Sequence, residues 1–535
     1  MTIEAQFNRT PPPSEAHSQH YVELNSTDIP ELPVGDERYA ELTYGVNSPT
    51  VNSDGQALVH VSNLTKTAFG EVSIAANEPF IQATAAYNLI PANFREYSTA
   101  TGTTGAESGM FKVTTGTSLS GYGAIQSFRA LNYKAGEGGL ARFTGVFESS
   151  AANSWQGVGL VNLGDELSFG FNGLEFGTWH RYGGVAEVRT LTITGNETGP
   201  AQPRTSTLIL DGDSYTVTVD SGTVEDNAHE IATQINNDID GWNADQLDGA
   251  IIISPDSDGP KDGTFSYTAD DGNSVGVFAR TTTGITKTSD FTKQSEWNVN
   301  TASWLDPTKG NVYEIRYQYL GFGALRYYVE DPETGDFILV HNIKYANNNT
   351  VPSLGNPSLK CGVYAVNFGN TTDLAVYVGS FGLFMQGKPT RTRNPRAAVN
   401  SQTVDSDFTN IISLRNRRTY NGYINQLEAT PNTISLANEA TKDVEVEVRV
   451  GADNVSYQDW NTAGENLIID LDTTSGIVSG GTLLGAYSLA GGDSILVDLT
   501  QENIRIPPSL QFSIAAKTDG PSAVVTAAVN WYEDL

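Results

Sequence analysis

Along most of the chain, apolar and polar positions alternate in short runs closed by Gly, Asn or Asp. That period of two is the signature of antiparallel strands. Between about 106 and 186 the runs are "GMFKVTTG", "GYGAIQSFRALNYKAG", "GLARFTGVFE", "WQGVGLVNLGDELSFGFNG" and "LEFGTWHRYGGVAEVRTLTI". The same character resumes after 290, where Tyr313, Ile315, Tyr317 and Tyr319 fall on one strand face and "EDPETGD" (Glu330 to Asp336) marks a hairpin turn. Beyond 400, Val444, Val446, Val448 and Val450 alternate with Asp443, Glu445, Glu447 and Arg449, the pattern of a half-exposed sheet.

One stretch breaks the rhythm. In "SGTVEDNAHEIATQINNDIDGW" (Ser221 to Trp242), Ala228, Ile231, Ala232, Ile235 and Ile239 recur at helical spacing. Thr223 suits the N-cap, with Asp226 three residues on, and Gly241 suits the stop. The preceding "ILDGDSYTV" places Asp211-Gly212 between two alternating runs, a strong type I′ hairpin signal. A β-β-α-β-β unit therefore interrupts strands that resume on its far side. Its helix reads as architecture, the cover of a small sheet.

These patterns predict a mainly β protein with two or more antiparallel, jelly-roll-like β-sandwich domains. The organisation is an extended, Pro-punctuated arm over 1–35, a small β element over 36–105, and a first sandwich over 106–187 and 288–387. An inserted α+β module occupies 188–287. A basic, Pro-containing linker follows at 388–400, and a C-terminal sandwich spans 401–535. The arm is expected either to stay disordered or to lie across a neighbouring subunit.

Composition narrows the function. The 535 residues carry a net charge of −31, yet only 17% are charged and 53 are glycine, which describes a folded β chain with a negative surface. Such a field disfavours nucleic acid. No run approaches the length of a membrane span. The opening "MTIEAQFNRTPPPSE" lacks the basic and apolar regions of a secretory signal, so synthesis in a cytoplasm is expected. Cys361, the single cysteine, excludes an intrachain disulfide and reads as a small buried hydrophobe.

No motif carries a reaction. "GNSVG" (Gly272 to Gly276) matches G-x-S-x-G but sits in a turn context instead of a strand-to-helix elbow. Histidines 17, 20, 60, 180, 229 and 341 are scattered, without metal-ligand spacing. "DSDG" (Asp256 to Gly259), "TADDGN" and "DLDTT" could hold calcium weakly, but Asp and Gly also form turns. A glycoside hydrolase needs two facing carboxylates, and no compact acidic strand motif appears. Neither an enzyme nor a cofactor is expected.

Two groups remain as candidate binding residues. Trp155, Trp179, Tyr182, Trp297 and Trp304 serve either as core filling or as a stacking platform for a sugar ring, with Trp155, Trp179 and Tyr182 the chosen candidates. The basic segment with Arg391, Arg393 and Arg396, joined by Arg415, Arg417 and Arg418, is either a solvated boundary or a contact to an acidic face of a neighbouring copy.

The stretch "TLILDGDSYTVTVDSGTVEDNAHEIATQINND" resembles a small β/α module inserted in tail sheath and other virion proteins of tailed bacteriophages. The runs "LDPTKGNVYEIRYQYLGFGALRYYVEDPETGDFILVHNIKYANNN" and "GVYAVNFGNTT", and the ending "AAVNWYEDL", are similar to virion proteins of large phages and aquatic viruses with concanavalin-like jelly rolls. The likeness covers about 110–535 and transfers no active site. It implies a structural virion protein, a capsid decoration or a tail or baseplate component. Its expected partners are copies of itself, a trimer among the options, and other capsid or tail proteins. The alternative it leaves open is a tail-fibre or spike adhesin for host-surface glycan, with a polysaccharide depolymerase behind that.

Overall fold

The computed structural model describes residues 46–51, 57–61, 78–90, 93–194, 204–219, 223–247, 249–269, 275–386, 394–454, 460–464, 467–500, 502, 504–520 and 522–533. The expected arm, Arg391 and Arg393 lie outside them. The chain divides into two units, Met1–Ile74 and Ala75–Leu535. In the first, Val46–Val51 and Ala57–Val61 pair antiparallel. The second is nearly all antiparallel β, with sandwiches and one long helix among the described residues.

The first sandwich packs two large sheets face to face. The front sheet runs Thr288–Lys293, Glu175–Tyr182, Glu166–Asn172, Ser154–Val161, Leu359–Asn367, Tyr122–Leu131, Phe94–Thr99. The back sheet has Gly138–Phe147 at its centre, paired on one side with Asn311–Tyr317 and on the other with Ala375–Val378 and Ser380–Gln386 in succession. Between the sheets lies an aromatic core in which Phe143, Phe169, Phe176, Tyr313 and Trp297 touch one another. Tyr313, Ile315 and Tyr317 point into it, as their alternation predicts. Cys361 is buried there too, and burial pushes its thiol up to about 12, so it is inert packing.

Residues 36–105 do not form a separate element throughout. Glu78–Thr84 pairs with Ser380–Gln386, Phe94–Thr99 with Tyr122–Leu131, and Thr103–Glu107 with Met110–Thr114, so these strands complete the two large sheets. Glu78 pairs with Met385, about 300 residues away, a long-range pairing that local pattern does not encode.

The insert leaves the first sandwich after Tyr182 and returns at Thr288, two residues that face each other across neighbouring strands. It therefore occupies the place of a hairpin loop, where an insertion leaves the host ladder intact. Its sheet runs Asp213–Val219, Arg204–Leu210, Ser266–Thr268, Val275–Thr282, Val188–Thr194, Ala250–Pro255, Trp242–Leu247. Asp211 (φ 55°) and Gly212 (φ 95°) form the positive-φ turn their sequence calls for. The helix Val224–Asp238 starts where Thr223 Oγ1 accepts from the Asp226 amide at 3.1 Å. Ala228, Ile231, Ala232, Ile235 and Ile239 are all buried against the sheet.

The terminal sandwich packs a four-stranded sheet on a six-stranded one around Ile434, Leu436, Val446, Phe512, Ile514 and Trp531. Its first strand, Asn394–Val404, pairs along its whole length with Ala523–Glu533. The expected linker thus ends by residue 393, and Arg396 is a strand residue that lies 3.8 Å from Glu533.

Replacing Ile231 by Ala should cost about 2–5 kcal/mol, because its side chain is fully enclosed between helix and sheet. Hydrogen exchange should then rise within 188–282 while both sandwiches keep their protection. Equal loss across all three bodies would show that the insert is not a separately cooperative layer.

Candidate functional site

A strand in a sandwich turns alternate side chains to the core and to the outside. In the front sheet the core positions include Val158, Leu160, Leu167, Phe169, Phe171, Phe176 and Val363. Strand register then assigns the outer face row by row. One row crosses Trp155, Asn172 and Glu175; the next crosses Tyr364, Gly157, Gly170 and Gly177; a third crosses Gly159, Ser168, Trp179 and Phe291; a fourth crosses Val161, Glu166 and Arg181. The three glycines of the second row leave a strip free of side chains, over which lie the Tyr364 ring of the same row and the Phe291 ring of the next. A Cβ on Gly157 would sit 2.5 Å from the Tyr364 ring, so only glycine admits that ring.

On this face a charged group is buried. The Glu166 carboxylate accepts from Arg181 Nη1 at 2.8 Å, from the Tyr364 hydroxyl at 2.8 Å and from Ser168 Oγ. Burial holds the Tyr364 hydroxyl well above its ordinary value, so it keeps its proton and donates. Arg181 Nε donates to Ser289 Oγ at 3.0 Å. The Arg181 guanidinium lies 3.8 Å from the Trp179 ring centroid and 4.6 Å from that of Trp155, a double cation–π contact.

Above this buried pair the aromatic surface opens to solvent. Trp155 keeps 37% of its surface and Phe368 46%, with ring centroids 4.8 Å apart. Trp155 is fixed from below by Arg181 and at its edge by its Nε1–H, which donates to Asn172 Oδ1 at 3.1 Å. Three loops frame the pair. Phe368 N and Asn370 Nδ2 donate to Asn153 O at 3.0 and 2.7 Å, Gly173 N to Ser154 O, and Gly369 N to Leu119 O. Leu119 and Leu174 are exposed at the rim. The result is a rigid, half-open aromatic platform edged by carboxamides.

Of the aromatic candidates, Trp155 and Trp179 come together here, with centroids 5.9 Å apart. Tyr182 does not join them. It lies on the opposite strand face, stacked on His180 at 4.6 Å, because an odd spacing from Trp179 puts it across the sheet. Trp297 fills the core, and Trp304 is exposed elsewhere. Sequence reasoning missed Arg181 and Glu166, although "TWHRY" already places Trp179 and Arg181 on one face. Phe368 had a weaker signal, a bulky ring inside the turn-forming "NFGNTT".

The basic candidates turn inward. Arg415 and Arg417 both pair with Asp470, at 3.0 and 2.6 Å, and Arg415 Nη2 also donates to Gln246 O of the insert. Arg418 donates from its amide to Asp245 at 2.9 Å and from Nη2 to Asp256 at 3.0 Å, both in the insert. The Arg415 and Arg418 guanidinia dock the terminal sandwich on the insert, while Arg417 stays within the terminal sandwich on Asp470 and Thr462, so the cluster is engaged inside the chain instead of being left for a neighbouring copy. The physical reason is the carboxylates they meet, Asp245 and Asp256 on the insert and Asp470 on the terminal sandwich. Asp256 and Asp470 from the acidic turns are thereby engaged with arginines, and no three His, Cys, Asp or Glu side chains gather as a metal site among the described residues.

The same junction reaches the first sandwich, where Arg129 pairs with Glu428 at 3.4 Å. Lys360 sits beside it on the outer face of the front sheet, between core-facing Leu359 and Cys361. Dense surroundings and repulsion from Arg95 and Arg418 bring its ammonium from an ordinary 10.5 down to about 7.

No protein-family model matches the chain, and no curated protein matches it. Solved structures that align with it include lectin I-B4 from Griffonia simplicifolia (10% identity, TM-score 0.21, 57% of this chain and 99% of that one). Others are lectin II from Ulex europaeus (11%, 0.21, 58% and 100%) and the exoplasmic/lumenal domain of VIP36 in its Ca2+/Man3GlcNAc-bound form (12%, 0.20, 57% and 93%). At such scores they bring neither family nor ligand to this chain, and the virion origin expected from the sequence gains no support from them.

Between pH 7 and 10 the unfolded chain holds the Lys360 proton that the folded chain has released, so stability should rise with pH across that window. Lys360→Met should raise the melting temperature at pH 6–7 and flatten this segment of the stability curve. A variant with the wild-type slope would assign the slope to other groups.

Proposed function

We propose that the outer face of the front sheet is a carbohydrate-binding surface and that the protein acts by recognition, without catalysis. The observation that carries this reading is the Trp155–Phe368 platform, held rigid from beneath by Arg181 and edged by Asn172, Asn153 and Asn370. A sugar ring offers an apolar face of C–H groups and a rim of hydroxyls. The first matches an immobilised indole, and the second matches carboxamides that both donate and accept. Pre-ordering matters because ligand affinity is eroded by every side chain that must be fixed on binding.

The same face argues against hydrolysis. Within its seven strands the outward carboxylates are Glu166 and Glu175. They stand six residues from register along the strands, about 20 Å, well beyond the roughly 5–10 Å that glycoside cleavage requires. Glu166 is moreover saturated by Arg181, Tyr364 and Ser168.

A second reading, docking of a protein partner as in virion assembly, is favoured by Leu119 and Leu174, whose side chains widen the platform into an apolar patch. One experiment separates the two. The purified protein is applied to a glycan array and the best ligand titrated by calorimetry. Trp155→Ala and Phe368→Ala should each weaken binding roughly tenfold or more, with unchanged circular dichroism. No glycan retained by wild type, with loss of particle incorporation in the same variants, would replace the carbohydrate reading by the docking one.

A further inference from the structure

Where the first sandwich meets the insert and the terminal sandwich, positive charge outnumbers its partners. Beside the front sheet, among the described residues, three carboxylates reach this junction, and each is engaged. Asp245 accepts from the Arg418 amide, Asp256 from Arg418 Nη2 and Asn243 Nδ2, and Glu428 from Arg129. Two further cations stand on the outer face of the front sheet beside them. Arg95 shares a register row with Gln126 and Gly362, and Lys360 precedes Gly362 by two residues on the same strand face. Among the described residues neither forms an ion pair. Arg95 makes a long contact to the Tyr97 hydroxyl, 3.4 Å, lies over the Tyr97 and Phe128 rings, and is attracted at longer range by Asp256 and Asp245.

We infer that Arg95 and Lys360 together bind an oxyanion, a sulfate, phosphate or carboxylate group, at this three-body junction. Both side chains remain partly open to solvent, so an anion has access. The aromatic contacts of Arg95 hold its guanidinium in place without consuming its hydrogen-bonding fork, which suits bidentate capture of an oxyanion. Arg418 adds its field to that of Lys360, close enough for the two to repel. An anion would relieve that repulsion. The net charge of −31 does not forbid this, because at physiological ionic strength charges beyond about 8 Å are screened.

The test uses the intact protein and an amine-reactive succinimidyl ester near neutral pH, with the modification of Lys360 followed by peptide mass spectrometry. Millimolar sulfate or phosphate, against chloride at matched ionic strength, should slow modification of Lys360 by about tenfold while other lysines react at unchanged rates. Arg95→Gln should remove most of that protection. A parallel arm uses an oligosaccharide bearing uronate carboxylates. Protection by it alone would assign the site to an acidic glycan, and protection by both would assign it to oxyanions in general. Equal Lys360 reactivity in sulfate, phosphate, uronate and chloride would overturn the inference, as would protection that Arg95→Gln leaves intact. The wild-type arms decide even if that variant does not fold.

Discussion

Two stacked sheets bury two faces and leave two others to water, so each outer face needs its own polar solution. In the front sheet of the first sandwich the solution is unusual for an outer face. Glycines at 157, 170 and 177 strip one row of side chains, large rings fold over the gap, and an arginine–glutamate pair is enclosed beneath them. Burying such a pair is unfavourable unless every remaining polar atom is matched. Tyr364, Ser168 and Ser289 supply the hydrogen bonds, and two indoles supply π faces for the guanidinium. Arg181 Nη2 is buried without a hydrogen-bond partner among the described residues, so the indole faces carry that part of the guanidinium. Trp155 is the lid of the ion pair and, on its open side, a half-exposed ring surface.

The other end of the same face is handled differently. There the insert and the terminal sandwich close over it, and arginines supply the joint. Arg418 reaches from the terminal sandwich into the insert, while Arg129 reaches from the first sandwich to Glu428. In so acidic a chain, each body brings carboxylates to any contact it makes, so a joint must be built from the few cations available. That explains why Arg415, Arg417 and Arg418 cluster in sequence, and why their clustering is internal. His229 on the insert helix belongs to this contact as well: burial and the nearby Arg415 guanidinium lower its pKa and keep it neutral.

How much of this was legible follows from the range of each interaction. The helix, its Thr223 cap and the Asp211-Gly212 turn depend on neighbours in sequence, and each could be read directly. So could the sandwiches, since strict alternation at Val444–Val450 or Tyr313–Tyr317 states which face is buried. Pairing partners could not be read. Glu78–Thr84 joins a strand 300 residues later, and nothing in its own pattern names that partner. The aromatic site was half legible. Period-two alternation already puts Trp179 and Arg181 on one face and Tyr182 on the other, but bringing Trp155 and Phe368 to that face required strand order. The arginines cannot be placed from net charge, because what engages them is local: Asp245 and Asp256 of the insert and Asp470 of the terminal sandwich.

The two ends of the outer face therefore differ in what they still lack. At the aromatic end the buried charge is paired, Arg181 with Glu166, and the unmet requirement is apolar: a ring surface left half in water beside groups that can hydrogen-bond in either direction. At the junction the unmet requirement is electrostatic: two cations that form no ion pair among the described residues and share carboxylates already bound to Arg418 and Arg129. A neutral polyol answers the first and an oxyanion the second. Because the two sites share one sheet and run along the same strands, their separation is fixed by strand rise, about 20 Å over six residues. A ligand spanning both must therefore be extended, several sugar units long, with its acidic group at the end that lies toward the insert. Two independent small ligands meet no such condition, so the effect of spacing on affinity distinguishes one continuous binding face from two unrelated ones.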